Sequence, residues 1–77
     1  MKILIFYAKT KKILEGSSVS LPTTSGVMEV RSGHEPMVVC LSEGAVTCYN
    51  KSTILLEKKI TKGMAHVKEE EVILSIF

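Results

Sequence analysis

His34 and Glu35 stand side by side in this chain, and Cys40 follows six residues after His34. A thiol near an imidazole, or an imidazole near a carboxylate, is the pairing that nucleophilic or general-base catalysis uses. Neighbours in an extended loop point apart, however, and the apolar run around Cys40 reads as a strand with the thiol facing inward. The reading is therefore a loop or partner-contact histidine and a core cysteine, with no catalytic residue. Zinc would need three or four Cys or His ligands at close spacings. Cys40, Cys48, His34 and His66 fall on separate elements without a repeated spacing, so no metal is expected. Gly26, Gly33, Gly44 and Gly63 stand singly. Neither GxGxxG nor GxxxxGK is present, nothing cradles a phosphate, and no cofactor is implied. Lys9, Lys11, Lys12 and the Lys58-Lys59 pair read as charges that keep sheet edges soluble. A nucleic-acid surface would interleave aromatics with them, and Phe6, Tyr7, Tyr49 and Phe77 are the whole supply.

The elements that carry these residues are short. The chain has 77 residues and reads as one domain over 1–77. At this size folding buries only about 60% of the unfolded surface. The core must then be dense in apolar residues, and 45% of the chain is hydrophobic, with many Val, Ile and Leu and no Trp. β-Branched enrichment favours strands. Nine lysines and Arg31 against eight glutamates give a net charge of +2, a solubility-level imbalance. No apolar stretch reaches the roughly 18 residues of a membrane-spanning helix. Residues 1–7 are apolar but too short for a signal peptide, and read as a first strand.

Strand signals follow over 13–15, 17–21, 27–30, 37–41, 45–50, 53–60, 64–68 and 72–77, with turns at 8–12, 22–26, 31–36, 61–63 and 69–71. Regular short strands with Gly-marked turns predict an all-β fold, a small β-sandwich or flattened barrel of about nine to ten strands. Residues 37–41 and 45–50 read as a hairpin closed by Ser42-Glu43-Gly44. In that register Val38, Cys40, Val46 and Cys48 share one face. The two cysteines then lie diagonally, too far apart for an unstrained bridge, and reduced buried thiols are expected. The run 72–77 reads as a core strand, with pairing to a neighbouring subunit as the alternative.

The turns come in an order that resembles one family. Val19-Ser20-Leu21-Pro22-Thr23-Thr24 with Gly26, then Gly33-His34 with Pro36, then Leu41, Gly44 and Val46, then Lys62-Gly63-Met64-Ala65 with Val67, span nearly the whole chain. This set is similar to the N-terminal β-sandwich domain of the epsilon subunit of F-type ATP synthase. The resemblance implies a non-catalytic central-stalk rotor subunit, joining the gamma subunit to the membrane c-ring and coupling ion-driven rotation to ATP synthesis. It implies a peripheral place on the cytoplasmic face of the bacterial inner membrane. Family members carry a C-terminal pair of helices that inhibits ATP hydrolysis, and this sequence is expected to lack it. By the same resemblance Gly26, Val27, Met28, Glu29, Arg31, Gly33 and His34 are expected to contact the c-ring or gamma. The family often has an acidic residue where Val27 stands, and Glu29 and Arg31 lie near enough in sequence to replace that charge. No nucleic acid is expected as a partner. The rival reading is a free-standing small β-barrel that binds RNA or a peptide strand.

Overall fold

The computed structural model describes all 77 residues, and it contains nine strands and no helix. They are β1 (Lys2–Tyr7), β2 (Thr10–Glu15), β3 (Ser18–Thr23), β4 (Gly26–Arg31), β5 (Met37–Leu41), β6 (Gly44–Asn50), β7 (Thr53–Ile60), β8 (Gly63–Val67) and β9 (Glu71–Ile76). Two sheets form a β-sandwich: a five-stranded sheet in the order β2-β1-β9-β8-β5 and a four-stranded sheet in the order β4-β3-β6-β7. All pairings are antiparallel except that of β1 with β9, where Ile3 lies opposite Val72 and Ile5 opposite Leu74.

Alternation along each strand puts every second side chain between the sheets. Ile3, Ile5, Val39, Leu41, Ala65, Val67, Val72, Leu74 and Ile76 enter from one sheet, and Val19, Leu21, Val30, Val46, Cys48 and Ile60 from the other. Fifteen buried residues make this single core, and no buried side-chain nitrogen or oxygen is left without a hydrogen-bond partner.

The strands all run between the same two ends. One end, the first, carries Met1 and the connections at 16–17, 32–36, 51–52 and 68–70. The far end carries the turns at 8–9, 24–25, 42–43 and 61–62, together with Phe77. Gly16 crosses from β2 to β3 under Tyr49. A Cβ there would stand 2.6 Å from the Tyr49 carbonyl oxygen and 2.9 Å from Ile3 Cδ1, so only glycine fits.

The expected hairpin over 37–50 is not formed. β5 pairs with β8 in one sheet, and β6 pairs with β3 and β7 in the other. Ser42 and Glu43 carry the chain across the sandwich, with Ser42 N donating to the Pro22 carbonyl at 3.0 Å. Cys40 and Cys48 therefore do not share a face. Both are free thiols, but Cys48 is buried and Cys40 is exposed, so the expectation of a core Cys40 fails. Two strands are also longer than the sequence indicated. β2 begins at Thr10, and β3 continues through Pro22. Pro22 is tolerated because the pairing of β3 with β6 ends at Ser20, so no partner asks for its missing N–H.

Candidate functional site

The outer faces of the two sheets differ in polarity. In the five-stranded sheet, Ile13, Leu4, Ile73, His66 and Val38 form one row straight across all five strands. Lys11, Phe6, Ser75, Met64 and Cys40 form the next row. Most of these side chains are apolar, and they face solvent: Val38 is 59% exposed, Ile13 55%, Met64 49% and Phe6 39%. Leu4 and Ile73 are half-buried by their neighbours. Contiguous exposed apolar faces of this kind are found where proteins meet other proteins, membranes or ligands.

The four-stranded sheet presents a different exterior. Its middle row runs Glu29, Ser20, Thr47, Glu57. Thr47 Oγ1 donates to Glu57 Oε2 at 3.5 Å, and Arg31 Nε donates to Glu29 Oε1 at 2.8 Å. A shallow polar depression of about 510 Å³ lies at the first end of this face, lined by Ser17, Ser18, Glu29, Arg31, Tyr49, Lys51 and Ser52. Small hydroxyls and charged side chains make this the more polar of the two outer faces.

The residues singled out from the sequence fall into two groups, because β4 separates them. Gly26 opens β4 at the far end, where Thr24 and Ser25 make a two-residue hairpin loop. Thr23 Oγ1 donates to the Gly26 carbonyl at 2.6 Å and accepts from Ser25 N at 3.2 Å, and Gly26 has φ +116°. That angle is why a glycine stands there. Val27 follows, 77% exposed, and shares the outer side of β4 with Glu29 and Arg31. Met28 points the other way and packs against the core.

Gly33 and His34 lie at the first end, past the close of β4. β4 spans roughly 17 Å from Gly26 to Arg31 at about 3.3 Å per residue, which sets Gly26 and Val27 at the far end and Gly33 and His34 at the first. The loop that holds Gly33 is pinned to the β8–β9 connection. Gly33 N donates to the Glu69 carbonyl at 2.8 Å, and Ser32 Oγ donates to Glu70 Oε1 at 2.6 Å. His34 Nδ1 donates to the Glu35 carbonyl at 2.8 Å, which ties the ring to its own loop. Cys40 sits four residues into β5 on the outer sheet face, away from that loop. The structure therefore joins neither His34 with Cys40 nor any three of the His, Cys, Asp and Glu side chains in a cluster able to hold a metal.

One feature was not anticipated, and the edge role read for the lysines takes a definite place. The apolar outer face needs the strand order to become visible. The lysines of β2 and β7 come together at an open side of the sandwich, where the sheets do not pair. Lys12 and Lys58 project inward there, a device that protects sheet edges. Lys58 Nζ sits 3.8 Å from the centre of the Tyr7 ring. No helix is long and apolar enough to cross a membrane.

Residues 9–75 match the family described as ATP synthase, Delta/Epsilon chain, beta-sandwich domain. No curated protein sequence matches the chain. Among solved structures, the chain is similar to one in the central stalk/c-ring structure of Tetrahymena thermophila mitochondrial ATP synthase, with a TM-score of 0.82 at 11% identity over 99% of this chain. It is also similar to one in the OSCP/F1/c-ring structure of Euglena gracilis mitochondrial ATP synthase, with a TM-score of 0.80 at 22% identity over 96% of this chain. It spans 62% and 48% of the length of those two chains. At such identities the likeness shows the fold.

Proposed function

The chain belongs to the ATP synthase delta/epsilon β-sandwich family, and we propose that it is a non-catalytic rotor part of the central stalk, joining the gamma subunit to the c-ring. The family match over residues 9–75 carries this reading. The central-stalk and c-ring setting of the two similar structures supports it. The work is mechanical. Torque passes through a stiff, densely packed sandwich, and a close-packed interior transmits strain with little yield.

Gamma covers the apolar outer face of the five-stranded sheet. Burying the exposed parts of Val38, Met64 and Ile13, which leaves the Lys11–Phe6 corner uncovered, supplies a driving force that a chain this short lacks on its own. The loop with Gly33 and His34 leads directly into β5, the edge strand of that face, so a partner seated there reaches both residues. Arg31, ion-paired with Glu29 on the outer side of β4, goes with Glu29. Gly26, Val27 and Glu29 meet the c-ring from the far end and the outer side of β4. This places the chain peripherally on the membrane, held there by the complex. Met28, partly buried against the core, offers only its exposed part to the c-ring contact.

The test is a pull-down of gamma and c-ring with the purified chain, together with restoration of coupled ATP synthesis in a strain lacking the subunit. Capture and restoration are the expected results. Failure of both overturns the reading.

A further inference from the structure

Charge is distributed unevenly along the strand axis. Lys9 and Lys62 lie in turns of the far end, Lys11 and Lys12 in the first half of β2, and Lys58 and Lys59 in the last half of β7. All six belong to the half of the sandwich nearest that end. Glu43 is the one glutamate at the far end, and Glu57 faces Thr47 midway along β7. Five of the eight glutamates, Glu15, Glu35, Glu69, Glu70 and Glu71, lie at or beside the first end. The two ion pairs in the chain are those of the N-terminal ammonium with Glu15 and of Arg31 with Glu29. Not one of the six lysines is neutralised by a carboxylate, so their potentials add.

These lysines are also combined with aromatic rings. Lys11 Nζ lies 5.8 Å from the centre of the Phe6 ring, Lys58 Nζ 3.8 Å from Tyr7, and Lys62 Nζ 5.8 Å from Phe77. Lys58 beside the amphipathic Tyr7 ring is the combination found at bilayer interfaces, and Phe6 and Phe77 add apolar rings next to cations. Between the unpaired edges of β2 and β7 lies an open slot of about 320 Å³. Its floor is Ile5, Leu56 and Ile76, and Lys11, Lys12 and Lys58 stand at its rim.

We propose that this end of the sandwich binds anionic phospholipid headgroups at a bilayer surface, with one headgroup phosphate at the lysine rim of the slot. Lysine is a compact point charge with freely turning donors, suited to a fluid array of phosphates. Arginine, the residue of bidentate nucleic-acid recognition, is present once and near the other end. The rings that a base would stack on already carry lysines. The site stands on this chain's own charge and shape and does not require gamma.

Co-sedimentation of the whole chain with vesicles tests it. Binding is expected to vesicles of phosphatidylcholine mixed equally with phosphatidylglycerol, to weaken with salt, and to be absent from pure phosphatidylcholine. Each lysine near an anionic surface accounts for about a fivefold change in partitioning, so Lys11→Gln/Lys12→Gln/Lys58→Gln lowers binding on the order of a hundredfold. Lys9→Gln/Lys62→Gln, confined to turns, lowers it about 25-fold and covers the case in which the triple variant fails to fold. Lys2→Gln/Lys68→Gln, near the other end, changes it by less than about twofold. Unchanged binding of the far-end variants overturns the proposal. So does binding to a single-stranded oligonucleotide as tight as to the mixed vesicles, or release by inorganic phosphate at the concentration of vesicle lipid phosphate.

Discussion

Val38→Glu separates the docking face from the fold. Val38 lies on the edge strand β5 opposite His66, points away from the core and is 59% exposed. Fully burying a valine is worth about 1.5–3 kcal/mol, so covering the exposed remainder contributes roughly 1–2 kcal/mol to binding. A glutamate in the same place loses that term and brings an unpaired carboxylate under a partner. Desolvating such a charge costs several kcal/mol. A total loss of about 3 kcal/mol or more lowers affinity for gamma on the order of a hundredfold. The free chain should hardly notice. The change from a β-branched residue to glutamate on an exposed strand costs at most about 1 kcal/mol, a Tm shift of roughly 4–8 °C. Calorimetric titration with gamma and thermal unfolding of the free chain give the two numbers, and Val38→Thr, which keeps the branching, shows whether charge is the cause. Val38→Glu binding gamma within about threefold of the parent chain, about 0.7 kcal/mol, refutes the assignment of this face. Unfolding of the free variant refutes the outward orientation of Val38.

Three further outcomes follow from the core and the thiols. Leu74→Ala, on the central strand β9 and fully buried, should cost about 3–5 kcal/mol and lower the urea midpoint accordingly. Gly16→Ala forces a methyl against the Tyr49 carbonyl and Ile3, and should destabilise by about 1–3 kcal/mol in the same assay, against a neutral result if the crossing can shift aside. Burial pushes the Cys48 thiol from 9.0 up to about 11. The unfolded chain releases that proton near the ordinary value and the folded chain only near the raised one. This contribution to stability is therefore full below about pH 9 and lost as the pH climbs toward 11. The difference in urea midpoint between the parent chain and Cys48→Ala should narrow across that window, and a constant difference contradicts the burial of the thiol.

Most strand positions were legible because turns and period-two alternation are local. Val19 and Leu21 alternate with Ser18 and Ser20 in the strand read over 17–21 and are both in the core, and the β7–β8 turn falls where Thr61-Lys62-Gly63 indicated. Which sheet a strand joins is not local. Leu41-Ser42-Glu43-Gly44 has the composition of a hairpin loop, yet the chain crosses the sandwich there. The phase of β5 was hidden for a related reason: Met37-Val38-Val39-Cys40-Leu41 is apolar throughout, so alternation could not say whether Cys40 or Val39 faces inward. β2 was read short because Lys11 and Lys12 look like turn residues, while on an edge strand they are ordinary. The family's turn motifs were legible as an ordered set. The apolar docking face was not, since its rows are assembled from β1, β2, β5, β8 and β9, which lie far apart in the sequence.

Cys40 provides the most direct test of the rotor account, because a native thiol stands on β5, the edge strand of the proposed gamma face, pointing outward. In the free chain it is exposed while Cys48 is buried. A maleimide should label Cys40 rapidly and Cys48 slowly, with mass spectrometry locating the adduct. When gamma is added in excess, the account predicts that Cys40 labelling slows strongly and that Cys48 is unaffected. Labelling of Cys40 at the free-chain rate while gamma is bound would contradict it.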